Sequence, residues 1–248
     1  MLMLTIMKQD LVNLFKNKPI MTYLLLYPLL LITVTGFVFS PLFSGDLLTS
    51  YDYYGVTMMI YLSMATVIIL PELLFGHQVK YANYRIVYAP IARYKVYLSK
   101  LIVAILVSYT ILASYILVFN RTGLVNYGGR HVVDILLLDL SLVIFSITFG
   151  GAFCLLLKSE DLATKILNLV INLFAILSGL FFPMSIFGKR ISQIANLSPI
   201  GQVMNRFFEL IYDNNAHSLL TTMMTLCLAS LGFLIIIHLK YHPEDFGE

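Results

Sequence analysis

Six apolar runs, each about the length that crosses a bilayer, constrain this chain more than any other feature of its sequence. They lie near residues 19–40, 54–75, 97–119, 132–157, 164–182 and 218–239. A span needs about 20 apolar residues to cross a hydrocarbon core roughly 30 Å thick. In that solvent every backbone donor and acceptor must be satisfied inside the protein, so runs of this kind are helices. The expected fold class is an all-α membrane protein with six transmembrane helices. Composition agrees: 12% of the residues are charged and the mean hydropathy is +0.87, whereas a soluble domain is about a quarter charged. The first run is too long for a signal-peptide core and has no small-residue cleavage site, so it is expected to stay in the protein.

The stretch before it reads "LTIMKQDLVNLFKNK". Leu4, Met7, Leu11, Leu14 and Phe15 recur at helical spacing, and Lys8, Gln9, Asp10, Asn13 and Lys16 take the other face. This pattern predicts an amphipathic helix lying in the membrane interface over residues 1–18, or else an extension of the first span.

Loop charges give the orientation. The N-terminal segment, the loops after the second and fourth spans, and the C-terminal end hold Lys8, Lys16, Lys18, Lys80, Arg85, Arg93, Lys95, Lys100, Lys158, Lys165 and Lys240. The other loops hold Arg121, Arg130, Lys189, Arg190 and Arg206. Cytoplasmic loops carry the excess of Lys and Arg, so both termini are expected in the cytoplasm.

Several chemistries lack their signatures. The chain has no G-x-x-x-x-G-K-[ST] phosphate loop, no H-E-x-x-H and no G-x-S-x-G, which argues against nucleotide binding by that loop and against familiar hydrolase chemistry. No catalytic residue and no nucleic-acid partner are expected. His238 and His242 stand four apart and could share a metal, but with no third ligand nearby they read as interface residues, and no metal site is assigned. Cys154 and Cys227 each sit in an apolar run and read as packing residues. Ser146, Gly150 and Gly151 form a small-residue patch that suits close helix packing.

Three stretches carry more information. The loop 76–96 reads "GHQVKYANYRIVYAPIARYKV", follows Glu72 at the end of the second span, and is basic and rich in Tyr. A helix there would present Tyr84 and Tyr88 beside Lys80, Arg85 and Arg93, with Pro90 breaking or restarting it. Aromatic and Arg side chains are what protein–protein anchors use; the plainer reading is a loop that hugs anionic headgroups. The fifth run ends in "SGLFFP", where Phe181, Phe182 and Pro183 mark a break. Beyond it Met184, Phe187, Ile191 and Ile194 repeat at helical spacing before "NLSPIGQ". Residues 183–217 therefore read either as a re-entrant outer segment that gates a pathway or as an ordinary outer loop. Third, Asp139 lies about two turns into the fourth span. An ionisable group in a span is a functional candidate by default; a structural hydrogen bond between helices is the plainer account.

Taken in order, these stretches resemble the permease subunits of ATP-binding-cassette exporters of the second integral-membrane type. The matching features are the amphipathic start ending in "NKP", Glu72 closing the second span, "YAPIARYKVYLSK" in the cytoplasmic loop, and "SGLFFP" followed by "NLSPIGQ". Ser99 stands where the family often has Gly. The resemblance implies one permease domain over 1–248, in which residues 1–18 form an elbow helix. Two permease chains, alike or different, would line the export pathway of an amphipathic drug, lipid or peptide. Separate nucleotide-binding ATPase subunits would carry ATP and Mg, with no cofactor in this chain. The loop 76–96 would be the coupling segment, with Lys80, Tyr84, Arg85, Tyr88, Pro90 and Arg93 meeting the ATPase. Glu72, Asp139, Phe181, Phe182 and Pro183 would lie along the pathway or its gate. The setting would be a bacterial cell membrane, with lipid as a further partner. The rival is an ion-coupled secondary transporter, for which Asp139 is the one fair candidate. An intramembrane enzyme is disfavoured by the missing motifs.

Overall fold

The computed structural model describes residues 2–43, 48–76, 79, 92–213 and 218–242. Among these every regular element is helical, and six segments are long and apolar enough to cross a membrane. Helix α1 (Leu2–Lys16) precedes the first span, α2 (Lys18–Val38). The second span is α3 (Ser50–Ala65), a 3-10 turn at Thr66–Ile68, and α4 (Ile69–Phe75). The next three are α5 (Arg93–Thr122), α6 (Val132–Leu157) and α7 (Glu160–Ser178). Short helices α8 (Lys189–Leu197) and α9 (Pro199–Tyr212) come before the sixth, α10 (Leu219–Lys240). Every end lies within four residues of its expected position.

Local chemistry sets the starts. Asn17 caps α2, accepting from the Ile20 N–H at 3.3 Å, with Pro19 in the first turn where its missing N–H costs nothing. Ser159 caps α7, and Glu160 and Asp161 place negative charge at the positive end of that helix. Between α6 and α7, Lys158 adopts a left-handed conformation at φ 54 that closes a tight hairpin. Pro28 inside α2 removes one backbone donor, and the Tyr115 hydroxyl of α5 donates to the neighbouring Leu25 carbonyl.

The second span is the axis of the bundle: 83% of its most apolar stretch is buried in the chain, against 17% for the sixth. It packs closest on α6. Pro71 offers no N–H to the carbonyl four residues back, and its ring crowds that carbonyl, so the helix passes through a 3-10 turn just before it. That carbonyl belongs to Val67. Gly150 of α6 lies so near it that a Cβ would stand 1.8 Å from the oxygen, and a Cβ on Gly151 would stand 2.5 Å from Leu70. Gly150 and Gly151 thus provide the close packing expected of small residues in a membrane, while Ser146 of the expected patch is buried one turn away.

Two expectations need correction. Asp10 was placed on the polar face of α1, but the helix buries Ile6, Asp10 and Leu14 together and leaves Leu4 and Phe15 exposed. The reason is a partner ninety residues away, described below. Of the two cysteines, Cys154 is packed inside, whereas Cys227 faces outward from α10.

Replacing Gly150 by Val is expected to break the α3–α6 contact, since overpacking of this kind costs about 1–3 kcal/mol or more. Gly232→Ala, where nothing lies within 4 Å of the new methyl, leaves stability unchanged. Thermal-shift chromatography of the two variants in detergent tests the contrast.

Candidate functional site

Polar side chains gather where the second span ends and the third begins. Asn17 is buried at the α1–α2 corner, and its amide donates to Glu72 Oε1 at 3.0 Å. Glu72 also folds back over Gly76, where a Cβ would meet its carboxyl at 2.6 Å. Glu160, at the start of α7, comes within hydrogen-bond reach of Glu72 and accepts from Thr164 at 3.1 Å. One residue of the N-terminal corner is therefore tied to the end of the second span, which in turn touches the start of the fifth.

A second tie joins α1 to the third span. Lys100 Nζ lies 2.6 Å from Asp10 Oδ1, with the lysine side chain fully buried. Ser99 donates to the Val96 carbonyl at 2.8 Å and sits 3.4 Å from Asp10 Oδ2. Burial pushes the Asp10 carboxyl above its usual range, while the charge of Lys100 and its hydrogen bond, and more weakly Ser99, pull it back. The Ser99-Lys100 pair thus holds α1 in place. Nearby, Tyr97 pairs with His238 Nδ1 at 2.9 Å and its ring meets Tyr241, so this histidine links α5 to the end of α10.

The two ties flank the loop 76–96. Of its anchor residues, Lys80, Tyr84, Arg85, Tyr88 and Pro90 lie outside the described residues, while Arg93 opens α5 and is exposed. Glu72 and Arg93 therefore stand at the two rims of that loop.

At the opposite end of the bundle, α7 stops earlier than the proline suggested. Gly179 takes φ 90, and the Leu180 N–H returns to the Ala175 carbonyl at 3.0 Å, the pattern of a glycine-terminated helix. Pro183 lies four residues beyond. The turn is held by tyrosines of the second span: Tyr53 donates to the Gly179 carbonyl at 2.6 Å and Tyr54 to that of Phe181 at 3.2 Å. The Phe181 ring packs on Tyr61 and the Phe182 ring on Phe39. Past the turn, the expected single stripe from Met184 to Ile194 divides at Gly188, φ 101, into a 3-10 turn and α8. Ser198 then caps α9: its hydroxyl accepts from the Gly201 N–H at 2.9 Å, donates to the Ala195 carbonyl, and receives the hydroxyl of Ser178 at the end of α7.

Asp139 stands apart from both groups. It is fully buried between α6 and α3, where Ser63 donates to its Oδ1 at 2.5 Å. Its Oδ2 has no hydrogen-bond partner among the described residues.

Residues 1–212 match the profile of the ABC-2 type transporter. The chain belongs to that family. No curated protein matches it. It is thus a multi-pass membrane component of an ABC permease, and the family works with ABC ATPase subunits. In this ABC-2 chain Glu72 was marked by the resemblance and Asp139 by its place in an apolar run. The parts played by Asn17, Asp10 and Tyr53 were missed, since each depends on a distant partner. Lys100 gave the available clue: a lysine one turn inside a span needs an acid somewhere.

Removing one member of a buried ion pair costs about 3–5 kcal/mol, whereas replacing both by apolar groups is often neutral. Asp10→Ala is therefore expected to collapse the yield of folded chain, and Asp10→Leu with Lys100→Met to restore much of it, measured by monodisperse protein recovered from membranes. At the other end, Gly179→Ala meets the left-handed penalty of about 1–2 kcal/mol. It should lower thermal stability, while Pro183→Ala should change it little because the helix has already ended.

Proposed function

We propose that this ABC-2 chain is the pore-forming permease of an exporter in a bacterial cell membrane, with both termini cytoplasmic. It pairs with a second permease chain, identical or related, to form the pathway for an amphipathic drug, lipid or peptide. Separate nucleotide-binding ATPase subunits hold ATP and Mg and dock on the loop 76–96 through Lys80, Tyr84, Arg85, Tyr88, Pro90 and Arg93. No cofactor and no catalytic residue belong to this chain. Helix α1, within residues 1–18, is the interfacial elbow, and residues 183–217 are the outer re-entrant cap, with Phe181, Phe182 and Pro183 at its gate.

One observation carries the coupling reading. The N-terminal corner is cross-tied to both rims of the loop, through Asn17 to Glu72 and through Asp10 to Lys100. A push delivered to the loop then reaches the first three spans together. The charge asymmetry of the loops supports the orientation. The exposed apolar faces of α2 and α7 suit a second chain as well as lipid.

The ion-coupled rival has one observation in its favour, the unpartnered Oδ2 of Asp139. A single experiment separates them. In the Tyr88→Ala, Arg93→Ala double variant, loss of interface anchors worth about 2 kcal/mol each should release the ATPase on purification or uncouple hydrolysis from export. Membrane insertion and pairing of the permease chains should persist. Normal export by this variant in vesicles without ATP, driven by an ion gradient, would establish the rival instead.

A further inference from the structure

A cavity of about 240 Å³ lies inside the chain, walled by the second, fourth, fifth and sixth spans and by the first turn of α9. Ile60, Phe149, Phe174, Ile200 and Leu226 represent the five walls, and Ser146 supplies the one hydroxyl among the described lining residues. A buried water needs two to four polar partners, so this space excludes water; an apolar cavity of about 150 Å³ already admits benzene. An unfilled void of this size forfeits dispersion contacts along its whole lining.

The rim indicates what fills it. Phe174 lines the cavity and is also 40% exposed at the surface of α7. One turn further along α7 Leu177 is exposed, and on α10 the lining residue Leu226 is only half-buried. The mouth thus opens into the apolar belt of two spans that are 28% and 17% buried in the chain. There the surrounding solvent is hydrocarbon rather than water.

We infer that this cavity takes the acyl chain of a membrane phospholipid, which enters between α7 and α10 and packs against the first turn of α9. The site lies within one chain and is separate from any pathway formed between two copies. Its occupant braces Pro199, Ile200 and Val203, the point at which the outer helices meet the bundle. A lipid here is a structural part of the permease, and it links bilayer composition to the position of α9.

The test uses the full chain, with its copurifying partners, in vesicles of phosphatidylethanolamine and phosphatidylglycerol doped with a phosphatidylglycerol bearing a diazirine at its chain end. After irradiation, adducts are mapped by mass spectrometry. In the unmodified chain, adducts on Leu142 to Phe149 should saturate as the probe fraction rises, while those on the outward residues Leu26 and Val34 of α2 climb in proportion to it. Filling the cavity by Ile200→Phe, or its rim by Val170→Trp, should cut the cavity adducts by roughly tenfold, equivalent to about 1.4 kcal/mol of binding, and leave those on α2 unchanged. Proportional labelling at both places, cavity adducts indifferent to the filling variants, or no cavity adducts because another protein chain closes the mouth would each overturn the proposal. The saturation measurement needs no variant, so a misfolded mutant does not spare it.

Discussion

A lysine ammonium buried at the start of a membrane span must have a counter-charge, and the rest of the architecture at that end of the bundle follows from how Lys100 obtains one. Asp10 supplies it at 2.6 Å from the helix that precedes the first span. Once Asp10 is committed, the face of α1 that turns inward is settled, and Ile6 and Leu14 go with it. The chain then reaches Asn17 in a fixed position, where one amide can cap α2 and bond Glu72 together. A pair of polar contacts, separated by less than two helical turns, converts a loose N-terminal segment into a bracket across two spans.

The centre of the bundle is held by a different kind of contact. Between two helices in lipid there is little hydrophobic gain, because the solvent is as apolar as the side chains. Close approach of backbones has to serve instead. Pro71 makes that possible by forcing the local 3-10 turn, and Gly150 answers it by having no side chain to obstruct Val67. Asp139 lies on this same interface, sharing Ser63 of the second span. Its fixed oxygen joins the two helices, while the other, without a partner among the described residues, leaves a desolvation cost in that interface.

The number, length and placement of the spans were legible because lipid imposes a length and a composition that a single window of sequence can reveal. Contacts across many residues were not. Asp10 looked polar and outward from its neighbours alone, since the residue that draws it in lies at the far side of two spans. Pro183 was the conspicuous break in "SGLFFP", yet Gly179 ends the helix: a glycine in the left-handed conformation terminates quietly, and the proline falls in chain that has already turned. The stripe from Met184 to Ile194 showed helical spacing, but the break at Gly188 was not legible because periodicity carries no information about φ. The glycines of the small-residue patch, Gly150 and Gly151, were read correctly, because their partner needed only to be another helix of any sequence.

The two ends of the bundle differ in how they are fastened, and the difference bears on the proposed export cycle. At the Glu72 end the ties are polar, directional and linked to the rims of the loop that would meet an ATPase. At the Phe181 end two tyrosine hydroxyls grip backbone carbonyls of the turn after α7, and aromatic rings from α2, the second span and α9 stack around them. Both grips belong to the second span, which is also the most buried element. A displacement of that span by the loop would therefore carry the Gly179–Phe181 turn with it. The hydroxyl pair at Ser178 and Ser198 passes the same displacement to α9. In that arrangement the segment after α7 would move because its carbonyls are held by a helix whose other end is fastened to the loop, and the proposed gate would need no contact of its own with the ATPase.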